Sequence, residues 1–209
     1  MLDVEGLMAA LSVSRPVFHS EADFQHALAW QFHLRYPTAR IRLEKIFGRL
    51  HIDIAASIED QEYAFELKYK TRKATLEIAD ESFYLQNHSA HPPSRYDFVK
   101  DIARLESIAH TVGRPINAFA VFLSNDEIYW RSPGTTRGIS ADFSIHEGRR
   151  ISGELGWGPN ASAGTRKGRE EPIKLRGEYQ LKWRSYSLGD KRNNFGFCYT
   201  MVAVTPPRG

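Results

Sequence analysis

The chain has 209 residues, 42% hydrophobic and 25% charged, enough for one domain with a hydrophobic core that folds without staples. Its single cysteine, Cys198, excludes an internal disulfide and a CxxC or Cys/His zinc site. The net charge of +3 permits a polyanionic partner without demanding one. Acids at Asp3 and Glu5 and the lack of a long apolar stretch argue against a signal peptide or a membrane span. The expectation is a cytoplasmic protein.

In chain order, Leu2, Leu7, Met8 and Leu11 predict a short helix stopping near Ser14. Ser20 and Asp23 then read as an acidic capping box. They open a helix whose stripe is Phe24, Leu28 and Phe32, flanked by Ala27 and Leu34, and Pro37 ends it. Three strands follow. The first is Ile41 to Phe47, before Gly48. The second is His51 to Ile58, with Ile52, Ile54 and Ala56 expected on one face and Asp53 on the other. The third is Tyr63 to Lys70, with Phe65, Leu67 and Tyr69 opposing Glu66, Lys68 and Lys70. Residues 71–93 carry no regular signal. A helix over Tyr96 to Val112 buries Phe98, Ile102, Leu105 and Ile108. The apolar run Asn117 to Ser124 reads as a central strand.

From 131 to 175 the Gly, Ser, Thr, Arg and Pro content predicts a long flexible connection. The tail, 176–209, reads as a β-hairpin extension made of Tyr179 to Tyr186 and Phe195 to Val204, turning at Gly189-Asp190. The whole is a single α/β domain. Its core, about residues 15–130, has a central mixed β-sheet flanked by helices, followed by the β-rich C-terminal extension.

Phosphodiester hydrolysis needs an activated water, offset of the charge on the transition state, and help for the leaving oxygen. Carboxylates holding a divalent cation, with a side-chain cation nearby, supply these. Asp53, Glu66 and Lys68 meet the requirement, because adjacent strands can bring Asp53 to Glu66 and Lys68 shares the Glu66 face. The competing explanation is a surface ion pair between Asp53 and Lys68, usually worth about 0–1 kcal/mol.

With His51-Ile52-Asp53-Ile54, a gap of twelve residues, and Phe65-Glu66-Leu67-Lys68, the sequence resembles the PD-(D/E)xK nuclease superfamily, in an uncharacterised bacterial branch. It departs from the eponymous motif in having no proline before Asp53. The resemblance implies a restriction-endonuclease-like core, a Mg2+ or Mn2+ cofactor and DNA as substrate. It implies that Asp53 and Glu66 bind the metal, that the Leu67 carbonyl is a further ligand, and that Lys68 orients or activates the water. Glu21, on the helix before the first strand, takes the place of the outer acidic ligand that many members add. An acid in a first helical turn also simply complements the macrodipole.

Lys70, Arg72 and Lys73 beside the site form a basic patch suited to backbone phosphates. Arg104 shares a helix face with Asp97 and Asp101. It either contacts a phosphate at the pocket edge or pairs with Asp101 on a solvated face, and the helical pair is the commoner arrangement. Gln86 carries no recognisable motif. A homodimer would suit cleavage of two strands. The alternatives are an inactive nucleic-acid-binding or structural module, and a nuclease acting on RNA or branched DNA.

Overall fold

The computed structural model describes residues 2–111, 115–134, 138–187 and 196–204. It is a mixed α/β structure with α1 (Val4–Ser14) and α2 (Glu21–Arg35) preceding β1 (Arg40–Phe47), β2 (Leu50–Ile58) and β3 (Gln61–Lys70). A hairpin of β4 (Ala74–Ile78) and β5 (Glu81–Leu85) leads to α3 (His91–Thr111) and β6 (Ile116–Ser124). Then come β7 (Arg150–Leu155), the short α4 (Ala163–Arg166), β8 (Ile173–Gln180), β9 (Trp183–Ser187) and β10 (Phe197–Val204). The central sheet has six strands in the order β1-β2-β3-β6-β10-β9. It is mixed because β3 and β6 are parallel, a pairing that needs a crossover, and α3 supplies it.

Helix α2 starts where the polar residues direct. Ser20 Oγ accepts the Asp23 amide at 3.1 Å. The Asp23 carboxylate takes the His19 amide and the Arg15 guanidinium, tying the α1–α2 joint to the cap. Phe24, Ala27, Leu28 and Phe32 are buried as the stripe predicts, whereas Leu34 is exposed.

The sheet separates two cores. On the α1/α2 face lie Phe65, Leu67, Tyr69, Val121 and Leu123. On the α3 face lie Ala64, Ala118, Ala120 and Phe122 with Phe98, Ile102 and Leu105. Strict alternation along β3 and β6 therefore sets Glu66 and Lys68 on the α3 face. Strand β2 breaks the rule. Ile54 and Ala56 belong to the α1/α2 core, but Ile52 belongs to the α3 core. The predicted single face for Ile52, Ile54 and Ala56 is thus incorrect, because the strand twists at Asp53.

Two further stretches differ from expectation. Residues 71–93 hold the β4–β5 hairpin, whose turn residues Ala79 and Asp80 both have positive φ. Two left-handed residues make the turn that matches strand twist, yet Ala-Asp is not its usual sequence, so periodicity alone misses it. Helix α3 begins at His91, earlier than predicted, and accommodates Pro92 and Pro93 in its first turn, where an amide has no helical partner anyway.

The stretch 131–175, expected to be a flexible connection, instead carries β7 and α4 and the start of β8, and buries Phe143, Ile145, Ile151 and Leu155 in the α3 core. Glu106 of α3 accepts the amides of Arg176 and Gly177 and the Tyr179 hydroxyl, fastening β8 to the helix. The predicted strand Tyr179 to Tyr186 is divided at Leu181-Lys182. Its first part pairs with β7, its second with β10 in the central sheet. The proposed turn at Gly189-Asp190 lies outside the described residues. Among those residues no helix is long and apolar enough to cross a membrane.

Candidate active site

The site lies where the β2–β3 ladder opens. Pairing runs from Ile58↔Gln61 to Ile54↔Phe65 and stops there. On the other side of β2 the register passes from Leu43↔Ile54 to Lys45↔Ile52, skipping Glu44 and Asp53, and Glu44 has a φ of 51°. Gln25, one helical turn beyond Glu21 on α2, bridges this irregularity. Its Nε2 donates to Glu44 Oε1 and to the Asp53 carbonyl, both at 2.7 Å.

Beyond the opening, β3 turns its backbone groups to side chains. The Leu67 amide donates to Asp53 Oδ2 at 2.6 Å, and the Tyr69 amide donates to Glu21 Oε2 at 2.8 Å. A residue's amide and carbonyl project to the same strand edge in a sheet. The Leu67 carbonyl therefore faces the gap between the two carboxylates, where it accepts from Lys68 Nζ at 3.2 Å. Glu21 also takes Lys70 Nζ at 3.2 Å.

Across the α3 face, Lys68 Nζ makes an ion contact of 2.6 Å with Asp101 Oδ2. Arg104 reaches Asp101 Oδ1 at 2.9 Å, Glu66 Oε1 at 3.1 Å, and the His51 carbonyl. Glu66 and Asp101 are buried, at 3% and 4% exposure. The Arg104–Glu66 contact is coulombic only, for Glu66 Oε1 is buried without a hydrogen bond.

Three carboxylates, Asp53, Glu66 and Asp101, thus face two cations, Lys68 and Arg104. Burial pushes Asp53 up to about 6, against the Leu67 amide and Lys68, and Asp101 and Glu21 add to the rise. Burial raises Glu66 far above the carboxylate range, reinforced by Asp101 and Asp53 and only partly opposed by Arg104 and Lys68. Burial favours a neutral Lys68, but Asp101, Glu21 and Asp53 outweigh it and hold the amine protonated. With one carboxylate in excess, the site retains a proton that a divalent cation could displace.

The donors suit such a cation. Asp53, Glu66 and the Leu67 carbonyl offer hard oxygens, and the buried Glu66 Oε1 lacks a hydrogen-bond partner. Among the described residues, no three His, Cys, Asp or Glu side chains stand as a ready metal-binding group.

The sequence expectations divide accordingly. Asp53, Glu66, Lys68, Glu21 and the Leu67 backbone come together at the opening, with Arg104 beside them. The Asp101–Arg104 pair forms, but not on the solvated face expected for it: Asp101 is buried and anchors Lys68. Asp97 turns away to Arg169. Lys70 is tied to Glu21, whereas Arg72 and Lys73 are exposed past the end of β3. Gln86 is exposed, and its carbonyl accepts from the Thr71 hydroxyl. The Asp53–Lys68 surface ion pair is replaced by the buried Lys68–Asp101 contact. Sequence reasoning missed Gln25 and Glu44. The i, i+4 spacing of Glu21 and Gln25 was the available signal for Gln25, while the left-handed Glu44 had none.

No family model, no curated protein and no solved structure matches this chain.

Proposed function

We propose that this chain is a metal-dependent endonuclease of the PD-(D/E)xK type, with a restriction-endonuclease-like core, hydrolysing phosphodiester bonds in DNA in the cytoplasm. The observation that carries the reading is the excess of carboxylate at the β2–β3 opening: the half-buried Asp53 and the buried Glu66, both shifted upward, around a protonated Lys68. Such convergent, perturbed groups are a mark of reactive sites.

Asp53, Glu66 and the Leu67 carbonyl would hold Mg2+ or Mn2+, with Glu21 as an outer carboxylate. The cation, when bound, supplies Lewis-acid polarisation of the phosphoryl oxygen and a more acidic water. Lys68, being protonated, serves as a donor that orients the water and balances charge on the phosphorane-like transition state, not as its base. Arg104, 27% exposed at its side chain, offers charge to the scissile phosphate. Water oxygen bonds to phosphorus as the bridging P–O bond breaks, leaving a phosphate monoester and a hydroxyl. Lys70, Arg72 and Lys73 would meet flanking phosphates without sequence preference.

A second reading has its own observation. Lys68 and Arg104 are already paired with Asp101 and Glu66, as suits an inactive nucleic-acid-binding module. Plasmid nicking with and without Mg2+, comparing wild type with Glu66→Ala and Lys68→Ala, separates them. Mg2+-dependent nicking by wild type alone supports the nuclease, and equal behaviour of all three proteins rules it out. An RNA or branched-DNA substrate in the same assay decides the nucleic acid.

A further inference from the structure

Six buried side-chain polar atoms lack a hydrogen-bond partner among the described residues. Two of them, Glu66 Oε1 and Asp101 Oδ2, belong to the carboxylate site. Two others, Arg95 Nε and Arg149 Nε, belong to arginines that both line one cavity of about 600 Å3 elsewhere in the fold. Buried unpaired donors are uncommon in folded proteins and costly, and two arginines so placed on one cavity suit a ligand with acceptor oxygens.

The charges around the cavity sharpen this. Arg150, also lining it, is neutralised by Glu178 at 2.9 Å. Asp142 is held by the Gly156 amide at 3.0 Å. Arg95 spends one nitrogen on the Ile128 carbonyl, at 2.6 Å, and its guanidinium carbon lies 5.8 Å from the Tyr129 ring centre. Arg149's guanidinium has no hydrogen bond or ion pair among the described residues. Ser140 and Ser144 add hydroxyls to the lining. Burial pulls Arg95 below its ordinary value, with Tyr129 and Asp126 only partly opposing, as expected of a cation awaiting a counter-charge.

We propose that this cavity is a second binding site, which holds a phosphate group through Arg95 and Arg149. Guanidinium forks match phosphate oxygens in geometry as well as charge. Among the described residues the lining contains no Trp, Tyr or Phe on which a base could stack, so the phosphate itself is recognised. The cavity is roomier than a bare ion needs, and a phosphate borne on a nucleotide or a strand end fits it. Arg95 and Arg104 lie on the same helix, about 14 Å apart along its axis, so the pocket is distinct from the carboxylate site and independent of the nuclease reading.

The test is isothermal titration in EDTA, with inorganic phosphate, with sulfate, and with a short single-stranded DNA carrying or lacking a 5′-phosphate. The proteins are wild type, Arg149→Gln, Arg149→Lys, Arg95→Gln and Asp53→Asn. The expected result is phosphate binding by wild type and Asp53→Asn alike, weakened about tenfold or more in Arg149→Gln and Arg95→Gln, and weakened less in Arg149→Lys, which keeps the charge and loses the fork. Preference for the phosphorylated strand over the bare one assigns the phosphate to a strand end. Binding of inorganic phosphate alone assigns it to the free ion, and either supports the pocket. Equal affinity across all variants, or no binding of any phosphate-bearing probe to wild type, overturns it. Arg149→Gln removes a side chain with no described partner, so it is expected to fold. An unchanged melting temperature without phosphate checks this, and Arg149→Lys keeps the test open if it does not.

Discussion

The Lys68 ammonium rests 2.6 Å from Asp101 Oδ2, so a residue of α3 anchors the amine of the Glu-x-Lys strand. Asp101 also contributes the largest charge effect that raises Glu66. One helix carboxylate therefore holds the cation in place and keeps its neighbour protonated.

Asp101→Asn separates those two effects. Removing its charge lowers the Glu66 pKa, visible by carbon NMR of the side-chain carboxyl as a titration moved toward the ordinary range. The same change frees Lys68 from its ion contact, and nicking activity falls by about tenfold or more as water orientation loosens. An unmoved Glu66 titration would contradict the account.

Glu66→Gln bears on stability and pH. Glu66 is raised in the folded protein relative to an ordinary 4.5. Its stabilising share is therefore complete below about pH 4.5 and is lost as pH rises toward the folded value. Asp53 behaves likewise between 3.8 and about 6. In EDTA, Glu66→Gln is expected to melt higher than wild type at pH 8, with the difference closing near pH 4.5. Activity is abolished in the same variant. Urea denaturation across that pH range measures the first effect.

Metal binding should release protons. At pH 8, Mg2+ or Mn2+ displaces the proton retained by the carboxylate cluster and raises the melting temperature. At pH 5, below the Asp53 value of about 6, the gain shrinks because protons compete. Calorimetry in buffers of different ionisation enthalpy counts the protons, and a pH-independent increment would argue against carboxylate ligation.

Gln25→Ala removes two hydrogen bonds that join α2 to the irregular stretch of β2. Each is worth about 0.5–1.5 kcal/mol, so a loss of about 1–3 kcal/mol is expected in chemical denaturation. Glu44 and Asp53 are left less firmly placed, and nicking falls further than the stability change alone explains.

Core substitutions give the scale. Phe65 is fully buried between Phe32 and Phe119, and Phe65→Ala should cost about 3–5 kcal/mol.

How much was legible follows from the kind of signal each residue carried. Phe65, Leu67 and Tyr69 alternate without fault, so the faces of β3, and with them Glu66 and Lys68, could be read directly. Asp53 was found by its residue type and spacing, but its surroundings were not, because the irregular register there involves Glu44 and Gln25, which lie on other elements. The burial of Asp101 depends on α3 crossing β3, a tertiary fact that helical spacing cannot express. The β7–β8 pairing was hidden because Gly, Ser and Arg dominate a stretch whose few apolar residues, such as Phe143 and Ile151, do the packing. The Ala79-Asp80 turn adopts a backbone conformation that its residues rarely choose alone.

The opening of the ladder at Asp53 has a consequence for observing the molecule. The amide protons of Leu67 and Tyr69 are held by carboxylates instead of carbonyls. The Leu67 proton shift and its exchange with deuterated solvent should therefore follow the ionisation of Asp53, while strand amides paired with carbonyls stay silent. The backbone thus carries a native reporter of the site, readable without a label or a substrate.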